Sequence, residues 1–392
     1  MHRNKRVLII GGNFAGLAAA LALRRVGIEA VVFERSSAIR GIDAGVVIQI
    51  TAMKALKKLG LLEHVRAIAG SPIKAIDIKS PRGQLLATIP QSHIGLELGT
   101  PGYVVHRAEY IAMLARQFEG TEVIQLNAHY TGFEQDTEGV TVRFADGREE
   151  RGAVLLGADG IHSAVRKQVL GDEPLRYAGY TAWRAMPTFT DAVLDPTILQ
   201  QFSGQGQIFG IYPAKDRCYW FAGKKTAPNG NDAPVGRKQE LLDLFKGWPA
   251  PIEALLAVTE EAAILRNDVY DRKPRGDHWG TGRVTLAGDA AHPTTPTLGQ
   301  GAGMAIEDGV VLAKELALAG DLDDYAAVVN ALHAYERNRI PRTTAIVNES
   351  WQLSNNVLVT NPLRSRIQET FLKMTPKSVW RKRGEADAMY EA

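Results

Sequence analysis

Val7-Leu8-Ile9-Ile10-Gly11-Gly12-Asn13-Phe14-Ala15-Gly16-Leu17-Ala18-Ala19-Ala20 packs an aliphatic strand, a glycine turn and the start of a small-residue helix into one short run. From Arg6 to Ile10 no polar residue alternates with the apolar ones, the pattern of a strand covered on both faces in a parallel sheet. Leu17 to Val26 reads as the helix, with Gly27 placed to end it. Ile28 to Glu34 reads as the next strand, completing a β-α-β unit. Gly11 and Gly16 fit the first and last glycines of the dinucleotide fingerprint. Asn13 stands where the second glycine belongs, and asparagine visits left-handed backbone angles more readily than most residues. Glu34, ending the second strand, can accept hydrogen bonds from a ribose diol, and Arg35 can stack on adenine or pair with a phosphate. Gly11, Asn13, Ala15, Gly16, Glu34 and Arg35 are therefore the first candidate binding residues. The same letters also suit a glycine turn in an unrelated α/β protein, with Glu34 as a solvated strand end.

Composition bounds the classes. The chain has 392 residues, 45% of them hydrophobic and 23% charged, enough for one large or two intimate globular domains. The net charge of +3 favours an anionic ligand mildly and is far from the signature of a nucleic-acid binder. A lone cysteine, Cys218, excludes an internal disulfide and reads as strand packing rather than as a reactive thiol. Arg3, Lys5 and Arg6 before an apolar stretch imitate a targeting peptide, but Gly11 and Gly12 interrupt the stretch, so it reads as structure. No apolar run is long enough to span a bilayer. The nine histidines show no metal-ligand spacing, and no metal site is expected.

Further along, Thr51 to Leu62 and Arg107 to Phe118 read as helices, and Ile73 to Lys79 as a strand. Short strands follow at Val123 to Leu126, Tyr130 to Gln135 and Val140 to Phe144, with a hairpin turn at Ala145 to Arg148. Val154 to Leu156 is a buried strand. Tyr177 to Lys225 is strand-like and aromatic, a second sheet, followed by a loop at Asn229-Gly230-Asn231-Asp232. Arg237 to Phe245 and Pro251 to Ala257 read as short helices, Val284 to Ala287 as a strand, Ala302 to Leu318 as a helix, and the tail from Leu322 as mostly helical. The fold class is α/β, with a Rossmann-like unit interrupted by a mixed sheet and closed by C-terminal helices.

Two later motifs carry more information. Gly157-Ala158-Asp159-Gly160 puts Asp159 at the C-terminal edge of a buried strand, either facing a ligand or capping the helix that follows. Gly288-Asp289-Ala290-Ala291-His292-Pro293 puts Asp289 just beyond the last strand, within reach of a polyol or a pyrophosphate-side water. Pro296 stiffens the loop, and Gly299, Gln300, Gly301, Ala302 and Gly303 let backbone close on a flat ligand. The helix from Ala302 then turns its positive end toward that ligand.

In order, these three motifs resemble the signatures of the single-component FAD-dependent aromatic hydroxylases, the para-hydroxybenzoate hydroxylase-like flavoprotein monooxygenases. The likeness runs through Glu307-Asp308 and covers nearly the whole chain. It implies FAD in the front loop, with Gly45, Arg107 and Tyr130 joining the cofactor contacts, and NAD(P)H visiting a groove as a transient reductant. It implies that reduced flavin reacts with dioxygen to form a C4a-hydroperoxide that hydroxylates a small aromatic or heteroaromatic substrate. A larger polycyclic, antibiotic or isoprenoid substrate, and a flavin-binding protein without oxygenase activity, are the alternatives. Asp43-Ala44-Gly45 and Val46 to Thr51 depart from the family's usual residues near the flavin edge.

Tyr180, Trp183, Arg184, Phe209, Tyr212 and Trp220 are the candidate substrate lining, and strand alternation lets only one of Trp183 and Arg184 face it. Arg184, Tyr212 and Pro296 are the catalytic candidates. Arg184 either holds a substrate anion or sits on the outer face; Tyr212 either hydrogen-bonds or deprotonates a phenol, or is a core aromatic. The expected division is 1–72, 101–176 and 276–350 for the FAD-binding parts, 73–100 and 177–275 for the substrate domain, and 351–392 for a helical tail. Lys377, Arg381, Lys382 and Arg383, mixed with Glu385, Asp387 and Glu391, read as a solvated tail. The expected partners are a small-molecule substrate and dioxygen, with no nucleic acid, no stable membrane insertion, a monomer or homodimer, and a cytoplasmic location.

Overall fold

Five parallel strands form the first sheet, in the order Val284–Leu286, Val154–Gly157, Val7–Ile10, Ala30–Phe33 and Ile124–Gln125. The computed structural model describes residues 5–91, 93–230 and 235–392. His2 and Arg3, Asn231 and Asp232, and the side chains of His93, Arg383 and Asp387 lie outside the described residues. Val7, Leu8 and Ile9 are fully buried, as the unbroken aliphatic run requires. The helix Phe14–Arg25 follows the glycine turn. Gly16 has no room for a side chain, since a Cβ there would lie 1.9 Å from the Gly11 carbonyl oxygen. The helix Gly301–Ala319 packs on the first helix, with Gly309 so close that a Cβ would sit 2.6 Å from the Ala19 nitrogen. Three motifs far apart in sequence thus meet at one end of one sheet.

The second sheet has seven strands, in the order Leu265–Asp271, Arg176–Ala185, Arg217–Lys225, Gln207–Ala214, Ile198–Gly204, Ala75–Lys79 and Leu85–Pro90. Pairing is antiparallel except between Ile198–Gly204 and Ala75–Lys79. Its two faces differ. Trp183, Phe209, Trp220 and Cys218 point to the back, where Phe245 and Leu256 of the helical segment behind them close a dry core. Each such fully buried aromatic contributes roughly 1.5–3 kcal/mol over its exposed state. Tyr180, Arg184, Tyr212, Tyr219 and Phe221 point to the front, into the cavity described below. Phe209 and Trp220 therefore form core, not substrate lining, because alternation sends them to the far side of the sheet, whereas Trp183 belongs to the same core and also borders the cavity.

Several expected boundaries shift. The expected helix from Thr51 to Leu62 is two, Ile50–Lys58 and Leu62–Ile68, because Gly60 adopts a left-handed φ of 67° between them. The Val46 to Thr51 stretch contains a strand, Gly45–Ile48, paired antiparallel with Tyr103–His106. The edge strand Leu265–Asp271 has no clean alternation and escapes a sequence reading. The tail is helical, with Tyr325–Val357 followed by Pro362–Met374 and Lys377–Ala388.

Candidate functional site

One continuous cavity of about 930 Å³ runs from the front glycine turn to the front face of the seven-stranded sheet. At its nucleotide-sheet end the turn bonds to its own neighbours. The Gly12 N–H donates to Glu34 Oε2 at 2.8 Å, and the Ser36 N–H donates to Oε1 at 2.9 Å. Asn13 is extended, with φ −109°, rather than left-handed, and its Oδ1 accepts from the Phe14 N–H at 2.8 Å. The left-handed position is Gly11, φ 110°, where a Cβ would lie 2.4 Å from the Ala158 carbonyl oxygen. Gly11, Asn13, Ala15, Glu34 and Arg35 line the cavity; Gly16 does not, and serves helix–strand packing.

Asp159 lines the cavity and also caps the helix Ala164–Leu170. Its carboxylate accepts from Ser163 Oγ at 2.5 Å and from the N–H groups of Ala164 at 2.7 Å and Val165 at 3.3 Å. Burial raises its pKa while these donors lower it. Beyond it, the buried Arg166 donates to the carbonyls of Ala290 at 3.1 Å and Ala291 at 3.2 Å, and pairs with Glu173 at 2.6 Å. The middle motif thereby holds the late one in place.

The late segment is open where the front turn is closed. Asp289 projects into the cavity and accepts no hydrogen bond from the described residues. The cavity walls that enclose it raise its pKa, and His292 and Arg107 draw it back down. Gly299, Gln300, Gly301 and Ala302 line the same space. The first turn of the helix Gly301–Ala319 has no side-chain cap, so roughly half a positive charge faces the cavity. Gln300 Oε1 is buried without a partner. Gly303 instead faces Ala52 and lines nothing, since a Cβ there would meet Ala52 at 3.2 Å. Underneath, the fully buried Asp308 accepts from the Gly288 N–H at 2.8 Å, His292 Nε2 at 2.7 Å and Arg339 Nε at 2.7 Å. Arg339 also pairs with Glu307 at 2.9 Å. Gly288, His292, Glu307 and Asp308 of this network belong to the motif read from sequence, whereas their partner Arg339 lies on a separate helix.

The remaining candidates meet between these two ends. Gly45 lies against the Tyr219 ring, 2.2 Å from where its Cβ would be, so only glycine fits. Arg107 sits over the Phe14 ring at 5.0 Å with its Nε buried and unpartnered. Burial lowers its pKa, Asp289 opposes this, and Arg184 adds to it. Arg184 donates to Asn267 Oδ1 at 3.0 Å and lines the cavity. Tyr212 lines it too, stacked edge-on against Tyr219 and Phe221, and burial raises the pKa of its hydroxyl, which favours the neutral, hydrogen-donating form. Tyr130, at the nucleotide end, donates to Gln168 at 2.8 Å. Pro296 begins a short 3₁₀ turn held by hydroxyls: Thr295 bonds Ser350 at 2.8 Å and Ser354 at 2.9 Å, and Thr297 bonds Ser354. Tyr219 is the residue sequence reasoning missed. The pairing of Tyr212 with Tyr219 across their hairpin was the available signal.

The profile described as FAD binding domain matches residues 4–350. The chain belongs to this FAD-binding family. It is 38% identical to the aurachin C monooxygenase/isomerase of Stigmatella aurantiaca over 94% of both chains. It is 36% identical to the chloroplastic zeaxanthin epoxidase of Solanum lycopersicum over 87% of its own length, and spans about half of that longer protein, 53%. Klebsiella pneumoniae HpxO, solved with FAD and uric acid, superposes with a TM-score of 0.87 at 27% identity, over 97% of this chain and 96% of that one. This is an FAD-dependent monooxygenase family, and FAD is the cofactor. The residues present fit FAD: an unpaired carboxylate at Asp289, an uncapped helix end, and two buried polar atoms without partners, on Arg107 and Gln300. Among the described residues no helix is long and apolar enough to cross a membrane.

Proposed function

We propose that this family member is an NAD(P)H-consuming monooxygenase that adds one oxygen atom from dioxygen to an aromatic or heteroaromatic ring bearing an apolar arm. The observation that carries this reading is the continuity of the cavity. The FAD cradle opens without a partition onto a chamber whose walls include Ile76, Ile78, Ile89, Leu199, Val357 and Leu372. Bound FAD would supply hydride acceptance and oxygen activation. The chain's own residues bind, orient and dry the site. Arg184, steadied by Asn267, offers a cation to an anionic ring substituent, and Tyr212 offers a proton to an acceptor. The open end of the helix Gly301–Ala319 and Arg107 favour negative charge on the reduced cofactor. Asp289 and Glu34 offer acceptors for the cofactor's hydroxyl groups.

Support from relatives lies in the aurachin C monooxygenase/isomerase and in the uric acid held by HpxO. The apolar chamber and the zeaxanthin epoxidase likeness favour a second reading, epoxidation of an alkene in the same pocket. The test is a screen of ring compounds with and without apolar arms. It is read as substrate-stimulated NAD(P)H oxidation, then as incorporation of one labelled oxygen atom from dioxygen. A ring hydroxyl supports the first reading and an epoxide the second. Stimulated oxidation with no oxygen in any product overturns both.

A further inference from the structure

The helix Pro362–Met374 carries a feature that neither the cofactor nor the substrate chamber uses. Asn361 caps it, accepting from the N–H groups of Leu363 at 3.0 Å and Arg364 at 3.1 Å. Leu363, Ile367, Phe371 and Met374 then recur at helical spacing along one side. All four are open to solvent, 69%, 61%, 66% and 76% exposed. An amphipathic helix in a globular protein normally turns this stripe inward. Here Gln368 and Leu372, on another side, line the cavity wall, so the apolar stripe faces out. By helical spacing, Arg364 flanks the stripe on one edge and Arg366 and Lys373 flank it on the other, while Glu369 falls on the far side. The helix itself holds three basic side chains, Arg364, Arg366 and Lys373, against one acidic, Glu369. Leu85, half exposed on the edge strand beside this helix, follows Gln84, which Lys373 reaches at 2.9 Å.

We propose that Pro362–Met374 is a docking helix for an anionic bilayer surface. Its stripe seats at the boundary between headgroups and acyl chains, and its flanking arginines and lysines meet anionic headgroups. A second copy of the chain is the less fitting occupant. A two-fold contact through this stripe would bring Arg364, Arg366 and Lys373 of the two copies to one interface, like charge near like charge. Docking of this kind places the cavity wall at the lipid boundary, through Gln368 and Leu372. Uptake of a lipid-dissolved substrate there is a consequence that rests on the oxygenase reading; docking itself does not.

The experiment uses the full FAD-loaded chain and sedimentable vesicles, either phosphatidylcholine alone or phosphatidylcholine mixed with phosphatidylglycerol. Sedimentation with the mixed vesicles, suppressed by high salt, is expected. Leu363→Ser with Phe371→Ser should weaken it by at least about tenfold, with FAD absorbance unchanged. Arg364→Glu with Arg366→Glu leaves the stripe intact and should abolish the preference for anionic vesicles, an independent reading should the serine variant lose FAD. No sedimentation with either vesicle, or equal binding by both variants, overturns the proposal. A wild-type dimer in light scattering that becomes a monomer in the serine variant also overturns it, in favour of a second copy. A result on vesicles leaves the oxygen-incorporation test untouched, so the two readings fail separately.

Discussion

The front turn and the late segment face the same cavity from opposite chemical conditions. In the front turn the side chains already hold backbone donors: Glu34 holds the Gly12 and Ser36 N–H groups, and Asn13 holds that of Phe14. In the late segment Asp289 and the first turn of the helix Gly301–Ala319 are left open, while the buried Asp308 beneath them is bonded three ways. The difference separates shaping from binding. The front turn is held by its own side chains, whereas the late segment is a hydrogen-bonded base that presents a carboxylate and an uncapped helix end to the cavity.

Breaking the base should have the largest effect. Asp308→Ala takes the buried acceptor from His292 and the Gly288 N–H and leaves Arg339 with Glu307 alone, and is expected to cost about 3–5 kcal/mol in urea unfolding. A loss below about 1 kcal/mol would mean the network is not what holds the late segment. The same carboxylate gives a pH signature. Burial alone would raise it, but His292 and Arg339 outweigh burial and hold it down at about 2. The folded value lies below an unfolded value of about 3.9. Its stabilisation is therefore whole above about pH 4 and drains away between about pH 4 and pH 2. An acid-unfolding profile of Asp308→Ala should be flatter than the wild type across that window.

Removing the unspent charge should affect binding and spare the fold. Asp289→Asn is expected to weaken FAD binding by about 10- to 100-fold, roughly 1.4–2.8 kcal/mol, by fluorescence titration. Its FAD-free melting temperature should hold or rise, because enclosure already disfavours the charged form. A variant that lost stability and affinity together would erase the distinction between base and charge. The smallest effect belongs to the front turn. Asn13→Gly restores the fingerprint glycine and releases the Phe14 N–H, while an asparagine-to-glycine change at a helix N-cap costs only a few tenths of a kcal/mol. FAD affinity should therefore stay within about threefold of wild type. A large gain would show that the Asn13 side chain obstructs the phosphates.

The strands and helices of the nucleotide unit were legible because their residues report their own surroundings. Val7 to Ile10 can only be a strand buried on both faces, and Gly11 and Gly16 can only be where a Cβ does not fit. Asp159 was legible as two alternatives, and the structure adopts both, capping a helix at the cavity edge. Asn13 was read as a residue able to take left-handed angles and is instead an extended helix cap, while Gly11 supplies the unusual φ. In the second sheet, alternation announced that Trp183 and Arg184 part company without saying which faced inward.

What the sequence determined alone is the set of local constraints: the β-α-β unit, the order of the three motifs, and the glycines whose neighbours come too close for any other residue. These follow from backbone geometry and hydrophobic periodicity within a few residues. What only the tertiary structure decided is which polar groups remain unspent. Asp289 is open because Asp308, Arg339 and His292 satisfy one another from two helices and a loop, and the Pro362–Met374 stripe is exposed because the helix turns a different side to the cavity. Whether a hydrogen-bonding or apolar group finds a partner depends on segments far away in the chain, and no local pattern encodes that.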